Sequence, residues 1–230
     1  MTAPLVVRRG VAELVGTAFL VAAVVGSGIA AQRLSPDDVG LQLLENSIAT
    51  GAVLVALILA LQPVSASFNP VVTLVERLLG RITTREALAL SGAQVLGGII
   101  GAVLANLMFG LDAVALSGHD RFGADLWLGE LVATVGLVLI VFGTLRSGRV
   151  DSVAFAVGGY ITAAYWFTSS TSFANPAVTV ARTMTDTFSG IAPSSAPLFV
   201  LAQLVGGGLA LGLVHVLFPV PAPIEEVVHA

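Results

Sequence analysis

The residues best suited to chemistry in this chain are two Asn-Pro pairs. They lie in "SFNPVVT", residues 67–73, and in "SFANPAVT", residues 172–179. Asparagine is a good helix N-cap, and proline at the first helical position loses no amide hydrogen that the helix needs. We therefore expect helices to begin at Asn69 and Asn175, each with a side-chain amide that can donate hydrogen bonds to a neutral molecule.

Two carboxylates, Glu13 and Glu130, lie in apolar stretches that resemble each other, "AELVGTAFL" (12–20) and "GELVATVGL" (129–137). Ionisable groups in such surroundings are costly and usually have a role. They could relay protons, as in a coupled transporter. Alternatively, they could accept hydrogen bonds from irregular backbone and hold it in place. The residues alone leave both interpretations open.

Metal binding and nucleophilic catalysis find little support. The chain has no cysteine, and its histidines, His119, His215 and His229, fall in a loop, near the end of an apolar segment and in the tail. Asn106 and His215 occupy equivalent places in the two halves, but no third ligand accompanies them. No histidine lies beside a repeated serine motif. We expect no metal, no cofactor and no enzymatic activity.

The elements that position these residues are strongly hydrophobic. Of 230 residues, 56% are apolar and only 10% are charged, which is typical of an integral membrane protein rather than a soluble domain. The net charge of -4 is scattered and forms no basic patch, so we expect a lipid bilayer and no nucleic acid as a partner. Segments near the ~20 residues that cross a bilayer occupy 11–31, 46–64, 86–109, 126–145, 150–167 and 197–219.

A shorter apolar segment follows each Asn-Pro step. At roughly ten residues, each of these segments is too short to cross the membrane and is typical of a half-helix. The sequence thus predicts an all-α membrane protein with six transmembrane helices plus two re-entrant half-helices, in a single domain over 1–230.

The two halves of the chain, about 8–109 and 126–219, repeat each other around an external linker at 110–125. "AQVLGGIIGAVLANLMF" (93–109), for example, matches "AQLVGGGLALGLVHVLF" (202–218). Because each half has three spans, an odd number, the second enters the membrane from the opposite side and the repeat is inverted. Most arginines then share the cytoplasmic side with both chain termini: Arg8, Arg9, Arg77, Arg81, Arg85, Arg146 and Arg149 lie inside, and Arg33, Arg121 and Arg182 lie outside.

Half-helices that enter from opposite faces would meet end to end at the centre of the membrane. Their N-termini would each bring a partial charge of about +0.5 to the same place, which repels cations and hydronium. Asn69 and Asn175 would remain as donors. The residues therefore predict a path for small uncharged solutes that excludes ions and protons. The alternative is an ion- or proton-coupled secondary transporter that uses Glu13 and Glu130.

The doubled motif within six spans resembles the major intrinsic protein family, the aquaporins and glycerol facilitators, over residues 12–219. The resemblance implies a right-handed bundle of six tilted helices, a homotetramer with one pore per subunit, and a bacterial inner-membrane location. It favours loop support as the role of Glu13 and Glu130. The pore motif that it implies consists of Asn69, Pro70, Val71, Asn175, Pro176 and Ala177.

The filter departs from the usual family pattern. Members that pass water or glycerol usually carry an arginine directly after the second motif, where this chain has Val178, so we expect a wider and less polar filter. The other implied filter positions are Thr50 (or its neighbour, residue 49), Ala163 and Ser172. Arg182 is a possible filter cation because it lies one helical turn beyond Val178, but we expect its side chain to extend to the outer rim.

A small filter without arginine, together with "NPVVT" in the first half, resembles a bacterial branch of the family that is linked with arsenic resistance. This resemblance implies passage of neutral arsenous acid in addition to water and glycerol-like polyols. Arsenous acid is a compact polyol, which suits two asparagine donors and a wide filter.

Overall fold

The computed structural model describes residues 5–219, which contain eight α-helices, two single 3₁₀ turns and no β-strand. His229 and the extreme termini lie outside the described residues. The helices are α1 (Leu5–Leu34), α2 (Val39–Leu61), α3 (Pro70–Leu78), α4 (Thr84–Met108), α5 (Ala124–Arg146), α6 (Val153–Phe167), α7 (Pro176–Ala181) and α8 (Ala196–Leu217). The 3₁₀ turns are Val150–Ser152 and Arg182–Met184.

Six of these helices are long and two are short, which confirms the predicted fold class. Helices α1, α2, α4, α5 and α8 are long and apolar enough to cross a membrane. Helix α6 has 15 residues, which gives about 22 Å at 1.5 Å per residue. The span expected at 150–167 is therefore divided into the 3₁₀ turn Val150–Ser152 and a helix shorter than the other five.

The packing follows the internal repeat. Helix α1 packs on α2 and α4, and its counterpart α5 packs on α6 and α8 in the same way. Half-helix α3 contacts α4 of its own half and α8 of the other half. Half-helix α7 contacts α8 of its own half and α4 of the other half. Helices α2 and α6 pack against each other between the halves. Because each half-helix packs against both halves, the starts of α3 and α7 lie close together.

Glycines permit the closest helix approaches. A Cβ atom on Gly97 would lie 2.2 Å from the carbonyl oxygen of Leu14, and one on Gly101 would lie 2.2 Å from that of Ala18. In the other half, a Cβ on Gly206 would lie 2.8 Å from the Leu131 carbonyl oxygen. These distances are below van der Waals contact, so the backbones of α1 and α4, and of α5 and α8, can meet only at positions without a side chain.

Candidate functional site

Both half-helices begin at the asparagines of the repeated motif. The Asn69 Oδ1 atom accepts a hydrogen bond of 2.9 Å from the Val71 amide. The Asn175 Oδ1 atom accepts from the amides of Ala177 (2.9 Å) and Val178 (3.3 Å). In each case the motif's proline occupies the first turn. Each side chain thus satisfies amide hydrogens that would otherwise be unpaired at a buried helix start.

The two asparagines also connect the two half-helix starts to each other. The Asn69 Nδ2 atom donates a hydrogen bond of 2.8 Å to the carbonyl of Ala174, and Asn175 Nδ2 donates one of 2.7 Å to the carbonyl of Phe68. Phe68 and Ala174 both have positive φ angles, 48° and 47°. A non-glycine residue rarely adopts this conformation, and such residues cluster at functional sites. The sequence did not reveal this reciprocal pair of bonds, which leaves one N–H on each amide.

Glu13 supports the loop that precedes α3. Its Oε1 atom accepts hydrogen bonds from the Ser65 hydroxyl (2.5 Å) and the Ser67 amide (2.9 Å). Its Oε2 atom accepts from the Phe68 amide (2.7 Å) and from Gln94 Nε2 (2.8 Å). Since the carboxylate is fully buried, these bonds compensate for its lost hydration.

Glu130 makes the equivalent bonds in the second half. It accepts from the amides of Phe173 (2.8 Å) and Ala174 (2.8 Å) and from Gln203 Nε2 (2.6 Å). Gln203 Nε2 also donates to the Thr179 hydroxyl at 2.9 Å, which fixes the amide against α7. Both carboxylates are thus bonded to the backbone of a motif loop and to a glutamine from the last helix of their half.

A cavity of about 280 Å³ passes both motifs. It is lined near one end by Arg9 of α1 and near the other by Arg182, with Asn69 and Asn175 between them. The remaining wall is largely aliphatic and includes Leu20, Val24, Leu54, Ile58, Val72, Leu137, Val141, Val153, Val157 and Ile161. The asparagine amides therefore provide polar groups between stretches of wall that are largely aliphatic.

Three of the four filter residues implied by the sequence line this cavity: Thr50, Ser172 and Val178. Ser172 has a φ angle of 50°, and its buried hydroxyl has no hydrogen-bond partner among residues 5–219. Thr50 Oγ1 lies 3.1 Å from the hydroxyl of Tyr165 and forms a hydrogen bond with it. Tyr165 also lines the cavity, and sequence reasoning missed it.

The assignment of Ala163 to the filter is wrong. The residues of α6 that line the cavity, Val153, Val157, Ile161 and Tyr165, are four apart and share one helix face. Ala163 is exposed on the other side of the helix, because two residues correspond to a rotation of about 200°. The sequence of α6 does not fix this rotation, because small and apolar residues occupy both faces of the helix.

The expectation that the Arg182 side chain extends to the outer rim is wrong, because the side chain lies inside the cavity. Only 2% of its surface is exposed, and it lines the cavity. Its Nε atom donates a hydrogen bond to the carbonyl of Ser189, and its Cζ atom lies 3.4 Å from the centroid of the Phe173 ring. The segment after α7 folds back over the side chain and supplies this carbonyl, which a sequence pattern does not show. Among residues 5–219, no acceptor bonds the other two guanidinium nitrogens.

A second arginine lies on the same aromatic ring. Arg121, in the loop before α5, has its Cζ atom 5.1 Å from the Phe173 centroid. It donates to the carbonyls of Gly190 (2.9 Å) and Phe188 (3.3 Å). Burial lowers the pKa of Arg121 to about 10, so it remains protonated at neutral pH. Within residues 5–219 neither Arg121 nor Arg182 has a carboxylate oxygen within 4.0 Å, so this end of the cavity carries a positive charge.

The opposite end of the cavity has a different set of polar groups. Glu76 of α3 accepts a hydrogen bond from the Ser67 hydroxyl at 3.3 Å, and both residues line the cavity. Arg9 lines it as well and forms an ion pair of 3.7 Å with Glu86. Sequence reasoning did not identify Glu76, which lies about two helical turns beyond the N-cap Asn69.

No metal centre is evident in the part of the chain that the structure describes. Residues 5–219 contain no group of three or more histidine, cysteine, aspartate or glutamate side chains that could hold a metal ion. His119 lies in the loop before α5, and His215 lies near the end of α8, where its Nδ1 atom is 2.8 Å from the Leu211 carbonyl oxygen.

Comparison with known proteins identifies the family. The family model described as major intrinsic protein matches residues 1–152. The aquaglyceroporin AqpS of Rhizobium meliloti (strain 1021) is 53% identical over 218 residues, which cover 94% of this chain and 93% of that protein. The chain belongs to the major intrinsic protein family. The resemblance seen in the doubled Asn-Pro motif is therefore confirmed.

More distant major intrinsic proteins match most of the chain as well. The probable aquaporin TIP2-2 of Oryza sativa subsp. japonica is 31% identical over 89% of this chain and 84% of its own length. The X-ray structure of the aquaglyceroporin from Plasmodium falciparum superposes with a TM-score of 0.70, covering 91% of this chain and 95% of that one, at 17% identity. This structural likeness shows that the fold is that of the family.

Membership of the major intrinsic protein family makes the chain an integral membrane channel. The cavity that passes Asn69 and Asn175 is then the natural candidate for its pore. Two residues that line the cavity near α7 differ strongly in polarity. Val178, in the first turn of α7, is apolar, and Arg182, one turn further, carries a guanidinium group.

Proposed function

We propose that the chain is a passive channel for small uncharged solutes: water, glycerol-like polyols and neutral metalloid acids such as arsenous acid. The observation that carries the proposal is a cavity that passes both asparagines. Each asparagine caps its helix through Oδ1 and bonds the opposite loop through one N–H, so one amide hydrogen remains on each side chain. A neutral solute with hydroxyl groups can replace its contacts with water by these donors. The aliphatic side chains on either side of the asparagines offer no hydrogen-bond partners of their own.

Exclusion of ions and protons would come from the same arrangement. The starts of α3 and α7 are joined by the two asparagine bonds, so their positive ends point at one region of the pore. A cation that enters loses hydration and meets positive potential. The aliphatic wall interrupts a chain of hydrogen-bonded water, which a proton would need.

The filter would consist of Thr50, Ser172 and Val178, with Arg182 as its cation. Val178 places an apolar side chain where many relatives have a guanidinium, which supports a wide passage. Arg182 supplies a guanidinium one turn away, held by Ser189 and Phe173. Its unused N–H groups can donate to the oxygens of a polyol or of arsenous acid.

Solute flux into proteoliposomes tests this proposal. Stopped-flow light scattering would compare water, glycerol and arsenous acid in the native protein, in Val178→Arg and in Val178→Leu. We expect the native protein and Val178→Leu to pass all three, and Val178→Arg to slow glycerol and arsenous acid more than water. Passage of water alone, with no effect of Val178→Arg, would contradict both the broad solute range and the filter assignment.

The structure offers less support for a coupled transporter. Glu13 accepts four hydrogen bonds and Glu130 accepts three. The donors come from the motif loops and from a glutamine of the last helix of each half, so both carboxylates are engaged in holding the loops, whereas a proton carrier needs a group that is free to change partners. Flux measured with and without a proton gradient distinguishes the two functions. We expect no dependence on the gradient, and a dependence abolished by Glu13→Gln in folded protein would favour the transporter.

We further propose a homotetramer in a bacterial inner membrane with both termini in the cytoplasm. Large apolar side chains are exposed on the outward faces of several helices, for example Phe19, Leu88 and Leu209. These faces suit contact with lipid or with neighbouring subunits. Native mass spectrometry from detergent would give the subunit number, and protease accessibility of tagged termini in oriented vesicles would give the topology.

A further inference from the structure

The two half-helices present equivalent positions of the internal repeat to the cavity. In chain order, the lining residues at these positions are Asn69, Val72 and Glu76 in the first half and Asn175, Val178 and Arg182 in the second. Spacings of three and seven residues bring each set onto one helix face. The last position of each set is charged, and the two charges have opposite signs. The repeat therefore puts a carboxylate near one end of the cavity and a guanidinium near the other.

Glu76 is held in the cavity wall by the loop before α3. Its Oε2 atom accepts a hydrogen bond from the Ser67 hydroxyl at 3.3 Å, and the Ser67 amide donates to Glu13 at 2.9 Å. The side chain is half-buried, so solvent can hydrate the carboxylate in its charged form.

The charge of Glu76 is not neutralised by an ion pair. Arg9 lines the same end of the cavity but pairs with Glu86, at 3.7 Å. Within residues 5–219 no basic nitrogen lies within 4.0 Å of the Glu76 carboxylate. The carboxylate therefore acts on the cavity as a negative charge with no cation in contact with it.

Anions need a barrier of their own in this pore. The starts of α3 and α7 each bring a partial charge of about +0.5 to the region of the asparagines, and the guanidinium groups of Arg9 and Arg182 line the cavity. All of these groups repel cations, but they attract anions. In the described chain, residues 5–219, Glu76 is the one acidic residue of the cavity lining.

We propose that Glu76 is a specificity-determining residue that excludes small anions from the pore. An anion that crosses in either direction must pass the carboxylate, which repels it. Glu76 lies seven residues beyond Asn69, about 10 Å along α3, so its charge also reduces the positive potential at the asparagines. A neutral solute meets no such repulsion. This inference rests on the proposed function, because it names the residue that keeps anions out of the same pore.

Removal of the charge at position 76 tests the inference. Glu76→Gln keeps the size of the side chain and an oxygen that can accept from Ser67, and Glu76→Leu is a second neutral variant. Glu76→Asp keeps the charge. The matched control is Asp151→Asn, which removes the same charge from an exposed residue beside the lining residue Val150 but outside the cavity.

The measurement is the ratio of chloride to glycerol permeability in proteoliposomes at neutral pH. Chloride entry, with potassium and valinomycin to compensate charge, is followed by quenching of an entrapped dye, and glycerol entry by light scattering. We expect the ratio to be about tenfold higher in both neutral variants than in the native protein, because a unit charge about 10 Å away changes an equilibrium by roughly that factor. Glu76→Asp and Asp151→Asn should keep the native ratio.

Glycerol entry shows whether each variant forms a pore. A native ratio in a neutral variant that passes glycerol would overturn the inference, as would an equal rise in Asp151→Asn or the loss of glycerol entry in both neutral variants. These results would leave the channel proposal intact. A native protein that passes no glycerol would instead contradict the proposed function itself, before chloride is tested.

Discussion

The guanidinium carbon of Arg182 lies 3.4 Å from the centre of the Phe173 ring, inside the cavity and one turn from Val178. This contact holds a buried cation in the wall of the cavity, one turn beyond the apolar side chain of Val178. Phe173 also donates its backbone amide to Glu130. The buried carboxylate of α5 and the buried cation of the pore are thus connected through one aromatic residue.

We predict that Arg182→Lys lowers glycerol flux nearly as much as Arg182→Leu, because lysine keeps the charge but loses the planar group that stacks on Phe173 and bonds Ser189. A desolvated cation–π contact contributes about 2 kcal/mol, so both variants should also unfold at lower temperature. Stopped-flow flux and thermal unfolding in detergent check this. Full flux in Arg182→Lys would show that charge alone suffices.

We predict that Asn69→Asp and Asn175→Asp are equally harmful. Each replaces the donor of one of the two reciprocal bonds, to Ala174 or to Phe68, by a carboxylate that repels the carbonyl oxygen. A buried polar group left unsatisfied costs about 1–3 kcal/mol. Chemical unfolding in detergent would measure the loss of stability. Unequal losses in the two variants would argue against a reciprocal connection.

We predict that Gly97→Ala destabilises the protein while Gly92→Ala does not. The new methyl group at position 97 would lie 2.2 Å from the Leu14 carbonyl oxygen, so α1 and α4 must separate, at a typical cost of about 1–3 kcal/mol. At position 92, on the same helix, nothing lies within 4 Å of the new atom. Alanine there stabilises the helix by up to about 1 kcal/mol. Thermal unfolding of the two variants gives the comparison directly.

We predict that acid weakens the packing of the loop before α5. Burial lowers the pKa of His119, and Arg121 and Arg182 lower it further, while Asp186 and Asp120 act in the opposite direction. A histidine whose pKa is lower in the folded state binds more protons when unfolded. Stability should therefore fall as the pH drops below the ordinary histidine value of about 6.5.

The measurement for His119 is the change in melting temperature between pH 7.5 and pH 5 in detergent. The substitution His119→Gln should reduce this change, whereas His215→Gln, at the exposed end of α8, should leave it as in the native protein. A larger acid effect in His119→Gln than in the native chain would reverse the assigned sign.

The repeated motifs predicted the fold because they are local signals. An asparagine before a proline fixes a helix start within its own few residues, and Asn69 and Asn175 both cap helices as expected. That Glu13 and Glu130 have a role followed from the cost of a buried charge, but the choice of loop support over proton relay came from the family resemblance. The helix starts therefore needed only residue type and position, whereas the role of the carboxylates did not follow from them alone.

The details of the filter could not be predicted because they depend on distances between elements. The rotation of α6 decides whether residue 163 or Tyr165 faces the cavity, and it follows from packing on α2 rather than from the sequence of α6. The inward position of Arg182 depends on a carbonyl at Ser189. The bonds between the asparagines and the opposite loops likewise join groups far apart in the chain.

These reciprocal bonds also constrain the order of biogenesis. The acceptor for Asn69 is the carbonyl of Ala174, which the ribosome delivers only after five of the six long helices and the linker between the halves. Until then the first re-entrant loop has an unpaired amide in a lipid environment that penalises it. The hydrogen bonds of the first half are therefore complete only when the loop before α7 is in place.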